Sequence, residues 1–209
     1  MEIGQLGAVG PAQFDWLIHF FGRPPGTGSS PDTAPDVRAL TPRQRLHQIL
    51  WQGQIRGFRQ FGAEPATVCF SESPLQHMKW LIQERFWPPW GILLERQVVF
   101  DLGGGPVWYV RTDPLAMLSS KLKGWAVRLD AGDRRSDWLH EREWRIPLST
   151  NGEGIVIPTD PRPTILVGDP SWVPLSEDGQ LPPLWDIANR GYWDADNNDF
   201  VSVTSPSSE

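Results

Sequence analysis

The sequence predicts an α+β fold, in which a mixed β-sheet is accompanied by a few short helices. Short apolar runs rich in β-branched and aromatic residues recur between clusters of Gly, Pro, Asn and Asp, which is typical of strands joined by turns. Three segments begin with a Ser, Thr or Asp directly before a proline, a pattern that favours a helix start. Strands and helices do not alternate regularly, so a doubly wound parallel sheet is not predicted.

The individual elements follow from these patterns in chain order. Strands are predicted at residues 14–20, 54–58, 67–71, 91–94, 107–110, 142–146, 154–157 and 164–167. Helices are predicted from Thr41-Pro42 to Gly53, from Ser73-Pro74 to about Glu84, and from Asp113-Pro114 to Leu122. Residues 22–36 predict a loop, and the Asp-, Asn- and Ser-rich chain beyond Trp193 predicts a frayed end.

Length and composition favour one domain of ordinary size, or one domain with a decorated tail. The chain has 209 residues and contains 12 Trp against 2 Tyr, so large rings contribute much of the predicted core. The single cysteine, Cys69, excludes a disulfide framework or a cysteine metal site within the chain. Neither a leader peptide nor a long apolar window is seen, so a cytoplasmic protein without a membrane segment is expected.

Several common types of active site are not predicted. The four histidines, His19, His47, His77 and His140, lack the HExxH-like spacing of metalloproteases. The sequence also lacks a Walker-type or GxGxxG glycine loop. Metal-dependent hydrolysis and phosphate-loop chemistry are therefore not expected, and neither is a metal cofactor.

The net charge of −6 is unevenly distributed. Residues 151–209 carry ten acidic and two basic side chains, a net −8, which leaves +2 for residues 1–150. Within that first part, residues 23–59 carry a local +4 that could pair with phosphates, although an ordinary solvated loop and helix would carry the same charges. One hypothesis is that the acidic tail competes for this basic stretch and inhibits activity. Unaltered activity of a tail deletion at low salt would exclude it.

The run His-Glu-Arg-Glu-Trp-Arg at residues 140–145 places two carboxylates two residues apart at the start of a predicted strand. In a strand such residues share a face and lie about 6.5–7 Å apart, so Glu141 and Glu143 are predicted to face one space. Two carboxylates on one face suit an electron-poor substrate. The alternative is a solvated edge strand, in which the glutamates pair with Arg142 and Arg145.

Six short motifs follow one another in an order that resembles a known family. They are Leu17-Ile18-His19-Phe20, Leu46-His47-Gln48-Ile49-Leu50 leading to Gly53-Gln54-Ile55-Arg56, Val68-Cys69-Phe70-Ser71-Glu72-Ser73-Pro74, Gly91-Ile92-Leu93-Leu94, Gly105-Pro106-Val107-Trp108-Tyr109-Val110, and the 140–145 run. In this order they resemble the AbiGi-type abortive-infection family. They are similar, more distantly, to the DarT-like ADP-ribosyltransferase superfamily. The resemblance covers about residues 14–147.

The resemblance implies a fold and a reaction. The implied fold is an ADP-ribosyltransferase-like split mixed sheet, in a domain predicted at residues 1–170. Composition, and not the resemblance, predicts an acidic C-terminal extension at residues 171–209 whose end is disordered. The implied substrate is NAD+. Glu143 would be the catalytic carboxylate, and Glu141 would orient the acceptor.

The same resemblance implies residues that hold NAD+ and the catalytic carboxylate. His19 would hold the adenosine-side ribose through its ring nitrogens, although it could equally be an ordinary histidine packed beside Phe20 and Phe21. Ser71 and Ser73 would position NAD+ and the glutamate. Considered alone, their segment is equally typical of a helix cap before a proline.

NAD+ also needs a cation for its diphosphate and an aromatic ring for its nicotinamide. Arg56 is the first choice for the diphosphate and Arg59 the second. Phe70, Trp87 and Trp90 are the candidates for stacking on nicotinamide. The sequence does not rank these three rings.

The implied function is mono-ADP-ribosylation of a macromolecule by a toxin-like or phage-defence effector. DNA, RNA and protein are all open as acceptors, with nucleic acid slightly favoured. Two alternatives are a non-catalytic antitoxin or binding module on the same fold and an aromatic-rich interaction domain without a nucleotide pocket. An antitoxin protein is a further expected partner, and a membrane is not.

Overall fold

The computed structural model describes residues 5–8, 10, 13–23, 30–60, 63–131 and 137–203. The strands are β1 Trp16–Phe20, β2 Gln54–Arg56, β3 Phe58–Gln60, β4 Ala63–Ser71, β5 Gly91–Glu95, β6 Gly105–Pro106, β7 Trp108–Val110, β8 Ala126–Arg128, β9 Glu143–Pro147, β10 Gly154–Val156, β11 Thr164–Val167, β12 Asn189–Asp194 and β13 Asp199–Val203. The helices are α1 Pro35–Arg38, α2 Pro42–Gln52, α3 Leu75–Gln83, α4 Arg96–Asp101, α5 Thr112–Met117, α6 Ser120–Lys123 and α7 Pro183–Ile187. A 3-10 helix covers Leu139–Glu141.

Nine of the strands in these ranges form one mixed sheet. Its order is β13-β12-β11-β5-β1-β4-β9-β6, and β3 also pairs with β4. β11 and β12 run parallel, whereas the other neighbours are antiparallel. β2 pairs with β10 and β7 with β8, outside this sheet. The large mixed sheet with few helices confirms the predicted α+β class.

Alternation along the strands places apolar side chains on both faces of the large sheet. On one face, Leu17 of β1 packs in the larger core cluster with Leu50 of α2 and Leu184 of α7. On the other face, Ile18 packs with Met78 and further residues of α3. The sheet is therefore a central layer with helices on both sides.

Helix α2 forms where its end signals predict it. Thr41 is the N-cap and exchanges side-chain and backbone hydrogen bonds with Gln44 in a capping box, and Pro42 is the first helical residue. Gly53 ends the helix with φ of 65°, a left-handed conformation that favours glycine. The predicted helix from Thr41-Pro42 to Gly53 is confirmed.

Several elements differ from the sequence predictions. The sequence does not predict helices α1, α4 and α7 or strands β8 and β12, and α1 overlaps the end of the predicted loop at residues 22–36. The helix predicted from Asp113-Pro114 is two helices, α5 and α6, and Arg111 is the N-cap of α5. The prediction that the chain frays beyond Trp193 is wrong for residues 199–203, which form β13 beside β12. Residues 204–209 lie outside the described residues.

Helix length bears on the expected absence of a membrane segment. None of the helices in the described part of the chain is both long and apolar enough to cross a bilayer.

Candidate functional site

A cavity of about 190 Å³ lies along the junction of β1 and β4. In the described residues these two strands are registered at one pair, Ile18 with Ser71. The His19 ring bridges the strands next to that pair, since its Nδ1 lies 2.6 Å from the Cys69 carbonyl oxygen. The cavity thus opens where regular backbone pairing gives way to a side-chain bond.

The cavity brings together most of the residues that the sequence predicts for the site. Seven of them line it: His19, Arg56, Phe70, Ser71, Trp87, Glu141 and Glu143. Ser73 does not line it and is only 2% exposed. Arg59, the second candidate for the diphosphate, and Trp90, one of the candidates for stacking on nicotinamide, do not line it either.

The pairing of β4 with β9 positions Glu143. Ser71 lies directly opposite Glu143, and Cys69 lies directly opposite Arg145. Paired residues of antiparallel strands point to the same face, so these four side chains share one face of the sheet. Because β9 is also bonded to β6, it is an inner strand rather than the solvated edge strand of the alternative interpretation.

Glu141 reaches the cavity by a different route from the one predicted. The strand begins at Glu143, whereas Glu141 ends a 3-10 helix and Arg142 between them has φ of 45°. The two glutamates therefore do not alternate along one strand, although both line the cavity. The Tyr109 hydroxyl supports this turn by accepting from the Glu143 N–H at 3.1 Å and donating to the Trp138 carbonyl at 3.3 Å.

Glu143 is held by a two-pronged ion pair with Arg145. The Nε and Nη2 atoms of Arg145 lie 2.8 Å and 3.0 Å from the two carboxylate oxygens. Nη1 of Arg145 donates to the carbonyls of Gly124 and Ala126 at 2.9 Å and 3.3 Å, which anchors the guanidinium. Burial alone would lower the pKa of Arg145, but the charges and hydrogen bonds of Glu143 and Cys69 together outweigh it, and the pKa is raised. Such a pair orients a carboxylate firmly.

Glu141 has a different electrostatic environment. Burial, and secondly the charge of Glu143, raises its pKa from 4.5 to about 7. Arg23, Arg145 and Arg85 act in the opposite direction and offset only part of the rise. Near neutral pH this carboxyl group can therefore either give up or take a proton.

Ser71 and Ser73 form a short relay behind Glu141. The Ser71 hydroxyl donates to the Glu141 carbonyl at 2.5 Å, because that carbonyl can only accept. Ser71 has one hydroxyl hydrogen, so the 2.7 Å bond between the two serines uses the hydrogen of Ser73. Pro74, not Ser73, is the N-cap of α3, so the helix-cap interpretation is wrong. Ser73 acts on the cavity only through Ser71.

His19 has a defined tautomer. A carbonyl oxygen only accepts, so Nδ1 must carry the hydrogen that is donated to Cys69. Burial lowers the pKa of His19 from 6.5 to about 4, and the ring is neutral at physiological pH. Nε2 is then a hydrogen-bond acceptor, which suits a hydroxyl group. Its edge-on contact with the Phe21 ring, 5.2 Å between centroids, keeps the alternative of a packed histidine open.

Glu72 in the middle of the serine segment points away from the cavity. It is 6% exposed and accepts from the Trp144 indole at 3.0 Å and from Arg142 at 3.3 Å. The Phe14 N–H also donates to it, at 3.3 Å. Its carboxylate therefore forms hydrogen bonds within the fold and does not face an anionic ligand in the cavity.

Arginines supply the positive charge in the cavity lining. Arg56 lines the cavity while its Nη1 pairs with Asp36 at 2.8 Å, and its side chain stays 29% exposed. Arg23 and Arg45 also line the cavity, although the sequence did not single them out. Arg45 donates to backbone carbonyls, including that of Phe21 at 3.2 Å. The basic stretch at residues 23–59 thus contributes three cations to one site.

Aromatic candidates for stacking can now be ranked. Phe70 lines the cavity but is only 2% exposed, so little of its ring is open to a ligand. Trp87 lines the cavity and is half-buried, with its ring 5.0 Å from that of Phe20. Trp90 packs against Trp172 at 5.1 Å, away from the cavity. Trp87 therefore has the most suitable exposed ring of the three.

Cys69 is a site residue that the sequence did not predict. Burial, and then the charge of Glu143, raises its pKa to about 12, so it is a neutral thiol in contact with that carboxylate. The sequence predicts Arg145 only as a structural partner of the glutamates. Both residues could have been found by extending the strand pairing from Ser71 and Glu143 by two positions.

Among the described residues, no cluster of His, Cys, Asp and Glu side chains is arranged to hold a metal ion.

Comparisons with known proteins give no independent identification. No protein-family model, no curated protein and no solved structure matches the chain. A functional proposal therefore depends on the geometry of the cavity.

Proposed function

We propose that the protein is a mono-ADP-ribosyltransferase that uses NAD+ as its substrate and modifies a macromolecule. The observation that carries the proposal is the convergence on one cavity of an oriented carboxylate, a second carboxyl group with a pKa near neutrality and a neutral imidazole acceptor. These groups belong to Glu143, Glu141 and His19, and the motif resemblance assigns the same positions to NAD+ chemistry.

Each lining residue has a role that fits this substrate. Nε2 of His19 would accept a ribose hydroxyl, and Arg56, aided by Arg23 or Arg45, would pair with the diphosphate. The Trp87 ring would stack on nicotinamide. The enclosed volume of about 190 Å³ is below the roughly 300–1,000 Å³ typical of small-molecule pockets. Part of the dinucleotide would therefore extend beyond the enclosed volume.

Glu143 would act electrostatically. Breakage of the bond between nicotinamide and ribose develops positive charge on the sugar, and a carboxylate that faces the sugar stabilises that state more than it stabilises the ground state. Each carboxylate oxygen has two acceptor positions, so the bonds from Arg145 leave room for a ribose hydroxyl. Ser71 holds the backbone of Glu141 through its hydroxyl group, and Cys69 holds the His19 ring through its carbonyl oxygen.

Glu141 would handle the acceptor. In its ionised form it can take the proton that the acceptor loses when it attacks the ribose carbon. Ser71 fixes the backbone of Glu141, and the Tyr109 bonds fix the turn on which it lies. An acceptor bound beside Glu141 would thus meet the ribose at the place where charge develops.

One observation favours a second function. Arg145 already engages both oxygens of Glu143 and neutralises its charge, which weakens the field available to a developing cation. A non-catalytic binding module or antitoxin on the same fold would show this pairing as well. It would bind NAD+ or a protein partner without breaking the nicotinamide bond.

Labelled NAD+ separates these functions. The protein is incubated with NAD+ labelled in its adenylate phosphate and with separate pools of protein, RNA and DNA, beside the Glu143→Gln variant. The proposal expects label in one pool with the wild type and almost none with the variant. NAD+-dependent stabilisation against heat without any transfer would favour the binding module. Neither stabilisation nor transfer would favour an interaction domain without a nucleotide pocket.

A further inference from the structure

The guanidinium of Arg56 is held at the wall of the cavity by two neighbouring groups. Its Nε donates to the Gly152 carbonyl at 3.2 Å, and its central carbon lies over the Phe58 ring, 5.4 Å from the ring centre. Phe58 is 8% exposed and lines the cavity together with Arg56. A guanidinium that lies over a buried ring and is bonded to a backbone carbonyl keeps its position without a further partner.

A third contact of Arg56 is an ion pair with an exposed carboxylate. An oxygen of Asp36 lies 2.8 Å from Nη1 of Arg56, and the Asp36 side chain is 60% exposed. Asp36 does not line the cavity, although its neighbour Val37 does. The hydrogen bond from Arg56 is the largest cause of a lowered pKa of Asp36, so this group is ionised at neutral pH. A negative charge therefore lies against the cation that the proposed function assigns to the diphosphate.

Helix α1, which carries Asp36, is also held by a second arginine of the cavity. Arg45 donates from Nε to the Val37 carbonyl at 3.0 Å and from Nη2 to the Arg38 carbonyl at 3.4 Å. These two bonds go to the backbone of α1 and do not involve the Asp36 carboxylate. Replacement of Asp36 by Asn is therefore expected to leave α1 in place and to remove only the charge.

A carboxylate and a phosphate bind a guanidinium in the same way. Both accept hydrogen bonds from its N–H groups and are attracted by its charge, and both can accept two such bonds in parallel. A phosphate that approaches Arg56 would thus either displace the Asp36 carboxylate or be repelled by it. Displacement is feasible, because an ion pair between exposed side chains contributes little to stability.

We propose that Asp36 is an internal competitor for the phosphate-binding cation of the cavity: its carboxylate occupies Arg56, and a ligand that carries a diphosphate must displace it. Asp36 acts through Arg56 and is not a catalytic residue. It sets the affinity for the anionic part of the substrate. We draw this inference on the basis of the proposed function, which supplies NAD+ as the ligand, whereas inorganic pyrophosphate probes the same cation without it.

The opposite role of Asp36 would change binding in the opposite direction. A carboxylate that orients Arg56 toward the ligand would weaken ligand binding when it is removed. Gly152 and Phe58 already hold the guanidinium, so the structure favours competition over orientation. The sign of the change in affinity therefore distinguishes the two roles.

The test is calorimetric titration with inorganic pyrophosphate and, separately, with NAD+. It compares the wild type with Asp36→Asn, Arg56→Gln and the variant that combines both changes. Asp178→Asn is the matched control, because Asp178 is an exposed carboxylate outside the cavity and its loss changes the net charge equally. Initial rates of label transfer from NAD+ give kcat and KM for the same proteins.

The expected result is tighter binding in Asp36→Asn. The dissociation constants for pyrophosphate and NAD+ should both fall roughly 2- to 5-fold, in keeping with the strength of an exposed ion pair. Asp178→Asn should change them less than about 1.5-fold, since a distant exposed charge is screened. Asp36→Asn should likewise have less than about 1.5-fold effect when Arg56 is already Gln, because the shared cation is absent.

The kinetic expectation separates binding from chemistry. KM for NAD+ should fall roughly 2- to 5-fold in Asp36→Asn, while kcat should stay within about twofold of the wild type. The diphosphate does not react, so its contact with Arg56 is equally strong in the ground state and in the transition state.

Three outcomes would overturn the inference. Equal or weaker binding of pyrophosphate by Asp36→Asn would show that Asp36 does not compete for Arg56. An equal gain in affinity when Arg56 is already Gln would show that Asp36 acts on another cation. A lack of pyrophosphate binding by both the wild type and Asp36→Asn would exclude an anion site at Arg56. Tighter pyrophosphate binding by Asp36→Asn, without NAD+ binding or label transfer in either protein, would support the competitor and overturn the proposed function.

Discussion

The strand β9 and the turn that precedes it hold the two glutamates in contrasting ways. Glu143 begins a strand that is bonded on both sides, and both of its carboxylate oxygens are engaged by Arg145. Glu141 ends a 3-10 helix, and burial with the charge of Glu143 raises its pKa to about 7. Glu143 is thus an ion-paired carboxylate, whereas Glu141, only two residues away in sequence, titrates near neutral pH.

The contrast teaches how one motif can support two chemical roles. Groups whose environments separate their protonation behaviour are suited to different parts of one reaction. An ion-paired and oriented carboxylate suits the stabilisation of positive charge, and a carboxyl group that titrates near pH 7 suits proton transfer. In the proposed mechanism, Glu143 would face the sugar and Glu141 would serve the acceptor.

The largest expected effect comes from removing the charge of Glu143. Glu143→Gln should lower the rate of label transfer by about 10²–10³ while leaving NAD+ affinity nearly unchanged, because the carboxylate acts mainly on the transition state. Single-turnover transfer and calorimetric NAD+ titration measure the two quantities. The control is Glu84→Gln, which removes a charge from an exposed residue at the end of α3.

Loss of the Arg145 partner could also unfold the variant, since breaking a buried ion pair commonly costs about 3–5 kcal/mol. NAD+-dependent stabilisation of Glu143→Gln against heat would show a folded and binding-competent protein. A folded variant that transfers label at the wild-type rate would remove Glu143 from the mechanism.

The next largest expected effect is on the free energy of unfolding, and it distinguishes Glu141 from Glu143. The pKa of Glu141 is about 7 in the folded chain against 4.5 when unfolded, so the folded state binds more protons between these values and loses stability as pH rises through them. Glu141→Gln has no titrating carboxyl group at this position, so it does not lose stability over this pH range. It should be roughly 3 kcal/mol more stable than the wild type at about pH 8 and similar to it at about pH 4. Urea unfolding at both pH values measures the difference, and an equal difference at both would contradict the assigned environment.

The pH dependence of transfer sharpens the same comparison. If ionised Glu141 takes the acceptor's proton, wild-type transfer should increase about tenfold per pH unit below pH 7 and level off above it. Glu141→Gln should be slower and nearly independent of pH between about pH 6 and pH 8. Initial rates of label transfer across this range provide the test. A variant that keeps the wild-type profile would place the titrating group elsewhere.

The smallest expected effect concerns substrate binding. His19→Phe keeps a ring but removes the Nε2 acceptor, so NAD+ affinity should fall roughly 2- to 13-fold, as for one hydrogen bond of about 0.5–1.5 kcal/mol. His47→Phe is the control, because His47 lies on α2 outside the cavity. Calorimetric titration with NAD+ measures both. Unchanged affinity in His19→Phe would leave His19 as a packing residue.

Much of the fold could be predicted because local signals and tertiary packing agree. The cap at Thr41, the stop at Gly53 and the apolar run of β11 all appear in the sequence and in the structure. Helix α4 could not be predicted, because its two valines favour a strand and its N-cap, Glu95, makes no side-chain cap bond. Tertiary packing there overrides local preference.

The sequence contains a signal for the hairpin of β12 and β13. Its polar turn residues, Asp-Asn-Asn at 196–198, separate two aromatic-containing runs, a pattern that favours a hairpin. Asn198 has φ of 51°, which Asn tolerates better than most residues. Composition alone predicted a frayed end, because polar turn residues and disordered residues have similar compositions.

The site could be predicted as a set of residues but not as a geometry. The motif order singled out His19, Ser71 and Glu143, and the cavity brings them together. The sequence does not reveal the 3-10 turn under Glu141, because placing Glu141 on the strand extends the strand periodicity two residues beyond the start of β9. The ion pair with Arg145 depends on carbonyls 19 and 21 residues away in sequence, which short-range patterns do not encode.

The most direct test of the central claim is nicotinamide release from NAD+ by the wild-type protein. Chromatography of the reaction should show nicotinamide increasing in step with loss of NAD+, and release should nearly vanish in Glu143→Gln although that variant still binds the dinucleotide. Intact NAD+ after prolonged incubation with folded wild-type protein and all three acceptor pools would contradict the account.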